Sequence, residues 1–108
     1  MNREEFKSRR PRVIEITLDD GTKVHAKKLS QAQRETVNRL YTAPGKGQEG
    51  YRYIVMKCLC DPEGTRIFQD DDFKALEEVP GDDIERIAQE VVFNLQSKTD
   101  ANGASPNA

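Results

Sequence analysis

His25, Ser30, Cys58, Cys60 and the carboxylates between Asp61 and Asp72 are the side chains of this sequence best suited to chemistry. His25 is the only histidine, on the predicted outer face of a strand with no cysteine near it in sequence. One imidazole cannot build the four-ligand zinc site that Cys and His usually make, so His25 is expected to be a satisfied or solvated surface residue. Ser30 lacks the flanking glycines of a nucleophile elbow. It stands three residues before Gln33, the spacing of a helix-capping box. Cys58 and Cys60 would point about 200° apart on a helix and could not bridge each other. They are expected to be reduced thiols. Asp61 to Asp72 has the length of a calcium loop, but position six is Arg66 where Gly is needed and position twelve is Asp72 where Glu is needed. On a helix, Asp70, Asp71 and Asp72 would diverge by about 100° per residue and would not converge on a cation. Gly45, Gly47 and Gly50 are not followed by the Lys-Ser/Thr pair of a phosphate loop, and no strand feeds them. The sequence therefore predicts no catalytic residue, no cofactor and no metal, and a protein that acts by binding other proteins.

Composition narrows the class further. The chain has 108 residues, enough for one small domain. Charged residues make up 33% of it, above the usual share of about 25%, so the core must be thin. Stability should then be about 5–13 kcal/mol. No stretch approaches the ~18 apolar residues of a membrane span. The opening Met-Asn-Arg-Glu-Glu-Phe-Lys does not read as a secretory signal.

The charge is unevenly placed. Residues 1–60 hold 13 Lys and Arg against 7 Asp and Glu, a net of +6. Residues 61–90 hold 3 against 11, a net of −8. Such asymmetry implies attraction within the chain or between copies, which makes a homo-oligomer one expectation. Arg3, Lys7, Arg9, Arg10 and Arg12 form a basic arm, but the pI is about 5.5 and no basic recognition helix follows. The −8 segment would repel phosphates. Nucleic acid is thus disfavoured as a partner, and a small DNA-associated regulatory protein using the arm is the alternative reading.

The elements read as an α+β, mainly helical domain: an N-terminal β-hairpin, about four helices, and disordered termini. Residues 1–11 are a flexible basic arm. Ile14, Ile16 and Leu18 alternate with polar residues; Asp20-Gly21 signals a turn, and Val24 and Ala26 return on the same face. Ser30 opens a helix carrying Val37, Leu40 and Tyr41. A glycine-rich loop over 42–50 follows. The run from Tyr51 to Cys60 predicts a helix apolar around most of its circumference, charged only at Arg52 and Lys57. So short a chain is expected to leave part of it uncovered. Tyr51, Tyr53, Ile54 and Met56, with Arg52 and Lys57 at the rim, are the candidate protein-binding residues. Asp61-Pro62-Glu63-Gly64 has type I turn chemistry. A short helix is expected over 69–78, with Phe73 and Leu76 inward. An amphipathic helix then runs from Pro80 to about Leu95 on Ile84, Ile87, Ala88, Val91 and Leu95. Residues 97–108 are expected to be a disordered tail.

The order of these features resembles the tail assembly chaperones of long-tailed bacteriophages and prophages. The resemblance rests on an apolar helix ending Cys58-Leu59-Cys60-Asp61, then Glu63-Gly64, Ile67-Phe68, and Asp70-Asp71-Asp72-Phe73-Lys74-Ala75-Leu76 ahead of Pro80. It covers about residues 12–96, the single chaperone-like domain, and is most specific between Cys60 and Leu76. Leu95-Gln96 departs from it, since relatives often carry a small residue there. The resemblance implies a non-enzymatic chaperone in the host bacterial cytoplasm that is absent from the mature virion. Its implied partners are the tape measure protein and the major tail tube protein. It also implies that a longer frameshifted form could join at the polar tail.

Overall fold

The computed structural model describes residues 1–93. The expected last turn of the final helix at Leu95 and the expected disordered tail lie outside the described residues.

Helix α1 (Arg3–Lys7) is capped by Asn2, whose side chain accepts from the Glu5 N–H while Glu5 accepts from the Asn2 N–H. The sequence reading assigned no element there, although Asn-x-x-Glu is a legible cap. All of α1 is exposed.

Strands β1 (Val13–Thr17) and β2 (Lys23–Lys27) pair antiparallel, with Ile14 opposite Ala26 and Ile16 opposite Val24. This register puts the predicted apolar face inward: Ile16 and Ala26 have no exposed surface. The turn closes through Leu18 N–H to Thr22 C=O (2.8 Å) and Gly21 N–H to Leu18 C=O (2.9 Å). Ser30 and Gln33 then form the expected capping box at the start of α2 (Gln31–Thr42). Most of α2 faces solvent, and Val37 is its one buried residue.

Helix α3 (Gly47–Cys58) begins inside the predicted glycine-rich loop and ends two residues early. Gly50 explains why glycine is required at that crossing. A Cβ there would lie 2.8 and 2.9 Å from the Tyr41 ring, so the bare backbone lets α2 and α3 approach closely. Leu59–Cys60 is not helical; it forms strand β3, paired with β2 in the order β1-β2-β3. Beyond it Cys60 bridges Arg66, so Asp61–Gly64 is the tip of a second hairpin. Gly64 N–H donates to Asp61 C=O (2.9 Å), Asp61 N–H donates to Thr65 C=O (3.0 Å), and Gly64 has φ 91°. This is a tight turn, closed by that 64-to-61 bond, that ends on a left-handed residue, a position glycine fills without steric cost.

The short helix expected over 69–78 is instead two 3₁₀ turns, Asp70–Asp72 and Ala75–Glu78. Leu76 is the one buried side chain between Asp61 and Asp83. One fully buried side chain, with Phe73 and Val79 only half-buried, supports isolated i→i+3 turns but not a continuous amphipathic face. Helix α4 (Gly81–Phe93) meets the expected pattern, with Ile84, Ile87, Ala88 and Val91 buried.

The core lies where α3 and α4 meet the inner face of the sheet, with Ile16, Val37, Ile54, Val55, Cys58, Leu76 and Val91 at its centre. Helix α3 touches α2, α4, β2, β3 and both 3₁₀ turns. The surface that α3 keeps is narrower than its apolar run suggests: Ile54, Val55, Met56, Cys58 and Cys60 are buried, while Tyr51, Arg52, Tyr53, Lys57 and Leu59 are half-buried. The acidic segment 67–80, within which a short helix is expected over 69–78, folds over α3 and covers much of it.

Candidate functional site

The six residues singled out on α3 divide into two sets. Ile54 is fully buried and Met56 is 6% exposed, so both belong to the core and neither presents a surface to a partner. Sequence could not separate them from their neighbours, because the whole run is apolar and periodicity alone does not say which flank is covered. Tyr51, Arg52, Tyr53 and Lys57 are half-buried and form the outer strip of the helix.

This strip is tied to the acidic segment. Arg52 Nη1 pairs with Glu77 Oε2 at 2.9 Å, and its guanidinium lies 4.6 Å from the Phe73 ring centroid. Lys57 Nζ pairs with Asp70 Oδ1 at 3.0 Å and sits 5.8 Å from the Tyr53 ring. Arg66 Nη2 reaches the same Asp70 oxygen at 3.0 Å and donates to the Met56 carbonyl at 3.1 Å, satisfying an open acceptor at the end of α3. Tyr51 stacks edge-on against Tyr41, with centroids 5.6 Å apart. The rim charges expected to meet a partner are thus engaged within the chain.

Hydrogen bonds from Lys57 and then Arg66 hold the Asp70 carboxyl below its usual range. A carboxylate whose folded pKa is depressed stabilises above its unfolded pKa, and that stabilisation is lost as pH falls through the folded value. Asp70→Asn should therefore lower the urea midpoint at pH 7. The gap from the parent should narrow as pH drops below about 4, the ordinary carboxylate range. Paired urea titrations at several pH values measure it; a gap that does not change with pH would mean the ion pairs do not hold the segment. Because Asp70 is exposed, the effect should be small.

Beside the strip lies a cleft of about 230 Å³ lined by Gln48, Arg52, Leu76, Glu77, Val79, Gly81 and Ile84. Its floor is apolar and its rim polar. The sequence reading placed Leu76 and Ile84 facing inward but did not bring them together with Arg52. Only the fold of 67–80 over α3 does so.

The other reactive side chains are structural. Burial pushes the Cys58 thiol up to about 12 and raises that of Cys60, the opposite of an activated nucleophile. The two cysteines belong to different elements, α3 and β3, and do not share the single helix assumed from sequence. His25 stands opposite Cys60 across β2 and β3, with Nε2 3.7 Å from Glu15. It is half-buried there, with the Glu15 carboxylate beside it. Among the described residues no cluster of three His, Cys, Asp or Glu could hold a metal ion.

Sequence reasoning missed one charged residue. Glu90 is 1% exposed, with Oε2 3.8 Å from Arg86 Nη1. It lies three residues after Ile87, on the apolar face of α4, which was a legible signal. Nearby, Lys28 donates from Nζ to the Val91 carbonyl, placing a cation at the negative end of α4. Burial, and then the like charges of Arg12 and Arg34, lower the Lys28 pKa.

No family model and no curated protein matches the chain. Among solved structures it is similar to the bacteriophage HK97 tail assembly chaperone, with a TM-score of 0.61 and 15% identity over 76% of this chain and 83% of that one. The chain therefore has a phage tail assembly chaperone-like fold.

Proposed function

We propose that this protein is a non-enzymatic tail assembly chaperone that binds the tape measure protein and recruits tail tube subunits in the host cytoplasm, without entering the mature virion. The single observation carrying the reading is the fold it shares with the HK97 chaperone over three-quarters of its length. The surface offers a fitting contact. Arg52 lines an apolar-floored cleft with Gln48, Leu76, Glu77, Val79 and Ile84, and Tyr51, Tyr53 and Lys57 keep surface on the same helix; such a groove accepts apolar side chains from one face of a client helix. Ile54 and Met56 serve by shaping the strip from beneath.

Co-expression with the tape measure protein tests the reading. The client should become soluble and co-purify with this chain, and Tyr53→Ala should weaken retention while leaving the fold intact by circular dichroism. A client that is equally soluble alone and does not retain the chain would overturn the proposal.

A further inference from the structure

Residues 68–79 lie over α3 without joining it through the backbone. Their entry is fixed, because the Ile67 N–H donates to the Leu59 carbonyl of β3 at 3.1 Å. Their exit is fixed too, because the Pro80 carbonyl accepts from the Asp83 and Ile84 N–H groups at the start of α4. Between these points the backbone bonds are local: Asp72 N–H to Gln69 C=O, Glu77 N–H to Lys74 C=O, and Val79 N–H to Leu76 C=O. Among the described residues, no backbone-to-backbone hydrogen bond links 68–79 to another element.

Side chains alone hold the segment down. Leu76 is buried, and Phe68, Phe73 and Val79 pack half-buried against the core. Glu77 takes Arg52 at 2.9 Å, and Asp70 takes both Lys57 and Arg66 at 3.0 Å. These carboxylates face solvent, Asp70 at 67% and Glu77 at 50% exposure, so water and salt compete for their partners. The seam is itself open: the cleft described above runs between Leu76, Glu77 and Val79 on one side and α3 and α4 on the other. A segment with local bonds only, one deep anchor and ion pairs at its edge opens as a unit more readily than the helices around it.

The segment also has the chemistry of a bound peptide. Phe73, Leu76 and Val79, spaced three residues apart, make an apolar row with carboxylates beside it. Opposite lie Arg52, Lys57 and Arg66, all half-buried. We propose that residues 68–79 are a lid that stands in for the client, and that an amphipathic segment of the tape measure protein, apolar on one face with carboxylates beside it, displaces the lid and takes over Arg52, Lys57 and Arg66. This rests on the chaperone reading, and adds where the client sits and what closes the site without it. Charge complementarity argues for this occupant. Once Asp70 and Glu77 withdraw, the cations on the strip lose their partners, and a client's carboxylates restore them. A client lacking carboxylates leaves the cations unpaired, so the lid selects as well as covers. Opening and binding form one equilibrium. Apparent affinity scales with the fraction of open molecules, so loosening the lid tightens the client by the same factor.

Hydrogen–deuterium exchange on the full chain, free and co-purified with the tape measure protein, tests this. Client binding should speed exchange across 68–79, because the lid leaves α3; a client docked on the closed surface would slow it. Asp70→Asn with Glu77→Gln changes only the lid. Its exchange over 68–79 should quicken about three- to tenfold with α4 and the sheet unchanged, and client retention should rise by the same factor. Arg52→Gln with Lys57→Gln should open the lid as well, yet retain less client than the lid variant, because the cations are gone. Circular dichroism checks that both variants fold. Slowed or unchanged exchange over 68–79 in the complex, or a loosened lid with no gain in retention, would overturn the proposal while the chaperone reading stands. A client retained by neither the parent nor the lid variant would overturn both.

Discussion

Ile54→Ala should lower the free energy of unfolding by about 2–5 kcal/mol, the cost of removing a buried isoleucine's methyls and leaving a cavity. That is a large part of the ~5–13 kcal/mol expected for a domain of this size. Ile54 has no exposed surface and sits where α3 is enclosed by α2, α4 and the acidic segment. The surroundings cannot collapse easily onto the gap, because helices on several sides fix its walls. Urea denaturation should show a lower midpoint with an unchanged slope. A loss under about 1 kcal/mol would show that Ile54 faces outward, as the sequence alone had suggested.

Leu76→Ala should cost a similar ~2–5 kcal/mol, by a different route. Leu76 is the one fully buried residue between Asp61 and Asp83 and the deepest anchor of the two 3₁₀ turns, with Phe68, Phe73 and Val79 packed half-buried against the core beside it. The ion pairs of that segment, Arg52 to Glu77 and Lys57 to Asp70, lie at the surface, where solvent screens them and each contributes little. Truncation should therefore loosen 67–80 ahead of the rest of the fold. Amide hydrogen exchange should rise first at Asp72, Glu77 and Val79, the donors of its i→i+3 bonds. Uniform acceleration across α4 and the sheet would show that the segment is not a separately opening unit.

These two side chains also show what was legible in the sequence. The hairpin, the Ser30 cap and α4 follow from local patterns: alternation, a capping box, and apolar residues at helical spacing. Each is set by residues within one or two turns of one another, and each has the expected register in the structure. The surface of α3 was not legible, because its cover comes from residues 67–80. Nothing in a run of carboxylates announces that it will lie over an apolar helix. Arg52 and Lys57 supply the attraction for it. In the sequence they look like the rim of an interface, and in the fold they hold the chain's own lid. Strand β3 was hidden for a related reason. Leu59 and Cys60 continue the apolar run of the helix, and only the Gly64 turn, which folds Arg66 back against Cys60, draws them into the sheet. The outer strip of α3 was therefore half readable: Tyr51, Arg52, Tyr53 and Lys57 keep surface, while Ile54 and Met56 do not.

The contact between Gly50 and the Tyr41 ring constrains how this chain can drift. A methyl group at position 50 would favour the helix by about 1 kcal/mol, yet it would press into an aromatic edge 2.8 Å away. Larger side chains become acceptable there only when the tyrosine is exchanged for something slimmer. In a lineage sharing this fold the two sites should change together, glycine surviving wherever the ring does.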